Sequence, residues 1–210
     1  MKRTVCLILL LLSVLCAAAF AEEPVKDLPL DIRTGGQKTD PAAYTEQEYH
    51  DSTLDVTIET VHYDNTLIHI AWIRVKSPTQ LRTAVAGKPN EVVAAKVYQM
   101  AKARNAVVAI NGEFYTNRME DVFIYRQGEM YRNTPDPTKD VLIIDANGDF
   151  KVFTSLEKDR EIREYQEAGG TIVNAFSFGP VLVENGKAVQ GLDSYKMAEG
   201  MTRHPRMALA

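Results

Sequence analysis

Between Ala106 and Tyr115 the chain reads Ala-Val-Val-Ala-Ile-Asn-Gly-Glu-Phe-Tyr. An amide (Asn111), a carboxylate (Glu113) and two aromatic rings (Phe114, Tyr115) follow directly on five apolar residues. An apolar run of that length suits a strand buried on both faces, and Asn111-Gly112 is a dipeptide that accepts positive φ and turns the backbone. Polar and aromatic groups at the mouth of a rigid strand are placed to hold a polar ligand, although the same residues also fit a core strand followed by a tight turn. The next stretch, Thr116 to Asp121, adds Arg118, Glu120 and Asp121 in a polar loop. Near the end of the sequence stands Arg203-His204-Pro205-Arg206. His62 and His69 can approach one another across a strand pair, but no third ligand with suitable spacing lies nearby, so they read as sheet positions and no metal site is expected.

The elements that must position these residues alternate between hairpins and two helices. Leu54, Val56, Ile58, Thr60 and His62 fall on one face of a strand, Tyr63-Asp64-Asn65 turns, and Thr66 to Val75 returns. Leu81 to Val85 is a further short strand. Asn90 is a plausible N-cap for a helix over 91–104, with Val93, Val97, Met100 and Ala101 at helical spacing, and this helix is expected to pack against the sheet. After the 106–110 strand come hairpins at Val122–Arg126 with Glu129–Arg132 and at Val141–Asp145 with Phe150–Thr154. Thr154 and Glu157 fit a capping box ahead of a charged, surface-like helix over 156–168, which Gly169-Gly170 stops. Thr171 to Phe178 is a strand that runs into Gly179-Pro180, and a fourth hairpin spans Val181–Glu184 and Lys187–Val189 around Asn185-Gly186. Met207 to Ala210 looks like the start of another buried strand. The fold class these patterns predict is α+β, hairpin-rich, with a largely antiparallel or mixed sheet and one main packing helix.

Composition narrows the function classes. Lys2 and Arg3, the apolar run Val5–Leu15 and the small-x-small site Ala19-Phe20-Ala21 predict an export signal over 1–21, and residues 22–50 read as a polar leader or linker. Both cysteines, Cys6 and Cys16, fall inside that signal, so the mature chain has neither disulfides nor thiol chemistry and must rely on its core. The signal also takes two of the 24 basic residues, leaving 22 against 28 acidic, a net charge of −6. With no basic block anywhere, nucleic acid is not an expected partner. No later run approaches the roughly 20 apolar residues of a membrane span. The predicted location is therefore outside the cell, in the periplasm or in the cell envelope.

Four stretches occur in an order that resembles the phosphodiester glycosidase family: Ala109 to Tyr115, Leu142 to Phe150, Phe176 to Lys187, and His204 to Ala210. The resemblance covers roughly residues 54–210. Asn111, Gly112, Phe114 and Tyr115 match the family's Asn-Gly-x-aromatic-aromatic motif, whereas Glu113 stands where many relatives carry Gly. Pro205 and Arg206 match a Pro-Arg segment in which Met207, Leu209 and Ala210 are departures. The family continues beyond this point to an Asp-Gly-Gly-Gly-Ser motif, so the domain at 51–210 is expected to lack its C-terminal part and, in isolation, to be poorly stable.

The resemblance implies hydrolysis of a sugar-1-phosphodiester at the anomeric carbon, with an oxocarbenium-like transition state and carboxylate participation. The phosphoryl leaving group needs little protonation, and a bidentate arginine on the phosphate gains value accordingly. On this reading Glu113 and Arg206 are the catalytic candidates, Arg126 and Arg118 are further phosphate ligands, and His204 donates to phosphate or acts as acid or base. Asn111 and Gly112 shape the turn or hold a sugar hydroxyl, Phe114 and Tyr115 pack on a sugar face, and no cofactor is implied. The substrate is then a sugar-phosphate or glycan. A second reading, from another class, is a noncatalytic carbohydrate-binding or structural remnant of the same fold.

Overall fold

The computed structural model describes residues 36–86, 94–112, 123–192 and 204–210. The segment read as an export signal, the expected Asn90 cap, the stretch 116–121 read as a polar loop and the candidates Glu113, Phe114, Tyr115 and Arg118 lie outside the described residues.

β1 (Glu48–His50), β2 (Leu54–Tyr63) and β3 (Thr66–Val75) form an antiparallel sheet in that order. Asp64 and Asn65 both take positive φ between β2 and β3, as a two-residue hairpin turn requires. The register sets Thr60 opposite His69 and Leu67 opposite His62, so the two histidines are not partners. His69 Nδ1 instead lies 2.9 Å from Thr60 Oγ1. Pairing begins inside the stretch read as linker: Tyr49 of β1 is buried, and its hydroxyl donates to Asp51 at 2.6 Å.

The larger sheet joins β4 (Phe123–Arg126), β5 (Glu129–Asn133), β6 (Val141–Asp145), β7 (Phe150–Phe153) and β8 (Ile172–Ser177) in the order β5-β4-β8-β6-β7, all antiparallel. Two hairpins announced by their turn residues are thus separated by a strand that arrives later in the chain. β9 (Val183–Glu184) and β10 (Lys187–Ala188) form the last, short hairpin. With α1 (Val97–Ala103) and α2 (Lys158–Glu167), the fold is α+β.

The core is built on one face of the five-stranded sheet. Phe123, Val141, Ile143, Ile172 and Ala175 pack with Ile162 of α2, and Tyr125, Phe153 and Tyr165 close the edges. Each such aliphatic side chain taken from water contributes on the order of 1.5–3 kcal/mol. A bulge makes this arrangement possible. Asn174 pairs with Ile144 but Ile172 pairs with Asp145, leaving Val173 as the extra residue, so Ile172 and Ala175 both reach the core although three positions apart.

Several expectations are corrected here. The packing helix is α2, not the helix expected over 91–104: Ile162 is 2% exposed, whereas α1 buries none of its residues. Two core contacts from Ile162 and Tyr165, together with the buried Lys158, whose Nζ donates to Pro137 O at 2.9 Å, suffice for a helix otherwise covered in charge. α1 is also shorter than expected, because residues 94–96 are not helical and the helix starts where Gln99 Oε1 turns back to accept Lys96 N–H. The Thr154–Glu157 capping box does not form, and Ser155 Oγ accepts the Glu157 N–H instead. Ala106 to Ile110 is not a strand: no described strand pairs with it, Val107 and Val108 are half-buried, and Ile110 is 42% exposed. Leu81 to Val85 likewise lacks a partner strand. Residues 204–210 are irregular and exposed rather than a buried strand start.

Candidate functional site

The alternation of side chains along β8 divides the sheet into two working faces. Ala175 and Ser177 point toward the core. Ser177 Oγ accepts the Phe123 N–H at 2.8 Å and donates to Phe123 O at 3.0 Å, which fastens β8 to β4. Asn174 and Phe176, out of phase with them, turn to the face away from α2.

Arg126, the last residue of β4, meets β8 on that face. Its Nη1 donates to Tyr125 O and to Ala175 O, and its Cζ stands 4.7 Å from the centre of the Phe176 ring. A guanidinium at that distance over an aromatic face is held by cation–π attraction as well as by its hydrogen bonds. The Asn111-Gly112 segment reaches the same ring, since a Cβ on Gly112 would lie 3.8 Å from Phe176 Cδ1 and Cε1. That is ordinary contact distance. Neither Asn111 nor Gly112 takes the positive φ expected of a tight Asn-Gly turn, and the space between Gly112 and the ring would accept a Cβ. Asn111 Nδ2 donates to Gly112 O at 3.3 Å, steadying the segment itself. Phe178 extends the surface, edge-on to Phe176 with 6.1 Å between centroids.

Behind Arg126 lies a polar network. Asn174, 1% exposed, accepts the Gln127 N–H at 3.0 Å and the Thr83 hydroxyl at 2.9 Å through the same Oδ1. Gln127 Oε1 accepts from Arg82 Nη2 at 3.2 Å, and Gln127 Nε2 donates to Thr83 O at 3.3 Å. The 81–85 segment expected as a strand is thus used through its side chains. Beyond Phe178, the Gly179-Pro180 bond is cis and Val181 N–H donates to Asp140 Oδ2 at 2.8 Å. Burial pushes the Asp140 carboxyl above its usual range, against the lowering effects of that N–H and of Lys158.

Of the sequence-predicted site residues that are described, Gly112 and Arg126 are brought together at Phe176, with Asn111 beside them. His204 and Arg206 lie in the exposed, irregular 204–210 segment. Sequence reasoning passed over Phe176, Phe178 and Asn174 as site residues. The available signal was the period-two run Asn174, Phe176, Phe178 set against small Ala175 and Ser177. Among the described residues, no three His, Cys, Asp or Glu side chains are grouped to hold a metal ion. No helix there is long and apolar enough to cross a membrane.

An antiparallel sheet with its helix on one face, and an arginine, two phenylalanines and an Asn-Gly segment on the other, defines an α+β protein with a cationic, aromatic-lined candidate site. Comparison with protein families gives the more particular answer. Residues 104–210, just over half of the chain, match the family described as phosphodiester glycosidase, and the chain belongs to that family. No curated protein and no solved structure matches the chain at a significant level.

Proposed function

We propose that the protein is an exported hydrolase that cleaves sugar-1-phosphodiester linkages in envelope or extracellular glycans, acting after loss of residues 1–21. The observation that carries this reading is the convergence of Arg126 and the Asn111-Gly112 segment on the Phe176 ring, within the part of the chain that matches the family. An aromatic surface suits the apolar face of a sugar, and an arginine beside it suits the negative charge of the phosphodiester.

In the reaction, water adds to the anomeric carbon as the C–O bond to phosphorus-bound oxygen breaks. The phosphate monoester leaves with the bonding electrons, and the proton of the attacking water passes to a base. Glu113 is the proposed base that takes this proton. Arg126, with Arg206 and Arg118, would stabilise the charge gathering on the phosphoryl oxygens, and His204 would supply a further donor.

The position of bond cleavage tests the assignment. Hydrolysis of an N-acetylglucosamine-1-phosphodiester in 18O-labelled water should put the label on the sugar hydroxyl. Label in the phosphate would mean P–O cleavage and a phosphodiesterase, and binding without product would favour the noncatalytic reading.

A further inference from the structure

The chain at Arg126 leaves the regular β-ladder just where the site begins. β4 and β8 are bridged at Tyr125 and Ala175, and two residues away along β8 the bulge at Val173 has shifted its backbone. Val173 O accepts the N–H of Gly128, and the Gln127 N–H is met by a side chain: the carboxamide oxygen of Asn174. Gln127 at φ 53° and Gly128 at φ 83° are the two left-handed positions of the two-residue turn between β4 and β5. Asn174 is nearly inaccessible, and its Oδ1 takes a second donor from Thr83. A buried Asn with both acceptor positions used costs little, whereas removing it would orphan the Gln127 N–H. The three consecutive residues Asn174, Ala175 and Phe176 therefore grip the Arg126-Gln127 pair by an amide, a carbonyl and a ring.

We infer that Asn174 is the positioning residue that fixes the Arg126 guanidinium on Phe176 for an anionic, phosphate-bearing ligand, with Thr83 holding the carboxamide in place. This rests on the phosphodiester reading of Arg126. Asn174 touches no ligand itself. It acts through the turn after β4, which sets where the arginine leaves the strand.

Two readouts on the full chain test this. The first needs no ligand: the Nε–Hε NMR resonance of Arg126, assigned by its loss in Arg126→Ala. Asn174→Leu should collapse it to the averaged position of a mobile arginine while core methyl resonances such as that of Ile143 stay put, and Asn174→Asp, which restores an acceptor, should keep it dispersed. An unmoved resonance in a folded Asn174→Leu protein overturns the inference, as does a collapsed one in a folded Asn174→Asp protein. The second is titration with N-acetylglucosamine-1-phosphate and with N-acetylglucosamine. Asn174→Leu and Arg126→Ala should each weaken the phosphorylated sugar by about 10- to 100-fold, the loss expected for a hydrogen bond to a charged group, and leave the neutral sugar unchanged. The double variant should bind no more weakly than Arg126→Ala alone. Additive losses, or equal losses for both sugars, contradict positioning. If the wild-type protein does not distinguish the two sugars, the phosphodiester reading falls first and the inference with it, whatever the resonance shows.

Discussion

Among the described residues, Arg126 is held by two carbonyls on Nη1 and by the face of Phe176. A phosphodiester gains from a planar guanidinium that can meet two of its oxygens, so Arg126→Lys should recover only part of the activity lost in Arg126→Ala in sugar-1-phosphodiester hydrolysis, with kcat/KM as the readout. Gly112 makes the opposite prediction. Its φ is unexceptional and, among the described residues, a new Cβ would meet ring carbons of Phe176 at contact distance, so Gly112→Ala should fold with an unchanged melting temperature and report its effect in substrate affinity. Away from the site, Asp51 has a measurable signature in pH. The Tyr49 hydroxyl, and then the N–H and hydroxyl of Thr53, hold its carboxyl down to about 2 from an ordinary value of 3.8. A depressed folded-state pKa contributes stability that is present above pH 4 and lost as pH falls through about 2. Asp51→Asn should therefore flatten the stability profile between those limits, as measured by denaturant melts; an unaltered slope would show that other carboxylates set it.

The two helices and the β6–β7 turn carry the testable claims about elements. Ile162→Ala should cost about 2–5 kcal/mol, the range for emptying a buried isoleucine site, while Val97→Ala in α1 should cost far less because that helix buries nothing. Gly148 has φ +85°, and a Cβ there would come within 2.9 Å of Pro78 Cβ, so Gly148→Ala should destabilise the β6–β7 turn by about 1–3 kcal/mol. The hairpins were legible in the sequence because their signals are local: Asp64-Asn65, Gln127-Gly128, Asn147-Gly148 and Asn185-Gly186 each sit between β-favouring runs. The helix that packs was not legible. α1 displays the fuller apolar spacing, and only the sheet's geometry reveals that Ile162 meets a face prepared by Phe123, Val141 and Ala175. The strand expected at 106–110 failed for a related reason, since an apolar run states a preference for burial but cannot name a pairing partner. β8 takes the central place in its stead, flanked by β4 and β6.

At the scale of the whole molecule, the hairpin that precedes the family-matched region differs in character from the five-stranded sheet. Among the described residues β3 is an edge strand, ten residues long without proline or lysine, and Trp72 on it is 62% exposed. Such an edge invites association, and Ile70→Lys should reduce concentration-dependent self-association in sedimentation, with no reduction arguing that the edge is not the contact. The five-stranded sheet, by contrast, spends one face on α2 and keeps Arg126, Phe176 and the Asn111-Gly112 segment on the other. The Asn-Gly motif and the arginine could be named from the sequence, but Phe176, which joins them, looked like any aromatic residue in a strand. Its role is a product of long-range pairing. The most direct measurement is kcat/KM for an N-acetylglucosamine-1-phosphodiester with the wild-type protein and with Arg126→Ala. A charge-stabilising arginine predicts sugar release by the wild type and a loss of about 100-fold or more in the variant at unchanged stability, whereas equal rates in the two proteins would contradict a phosphodiester site at Phe176.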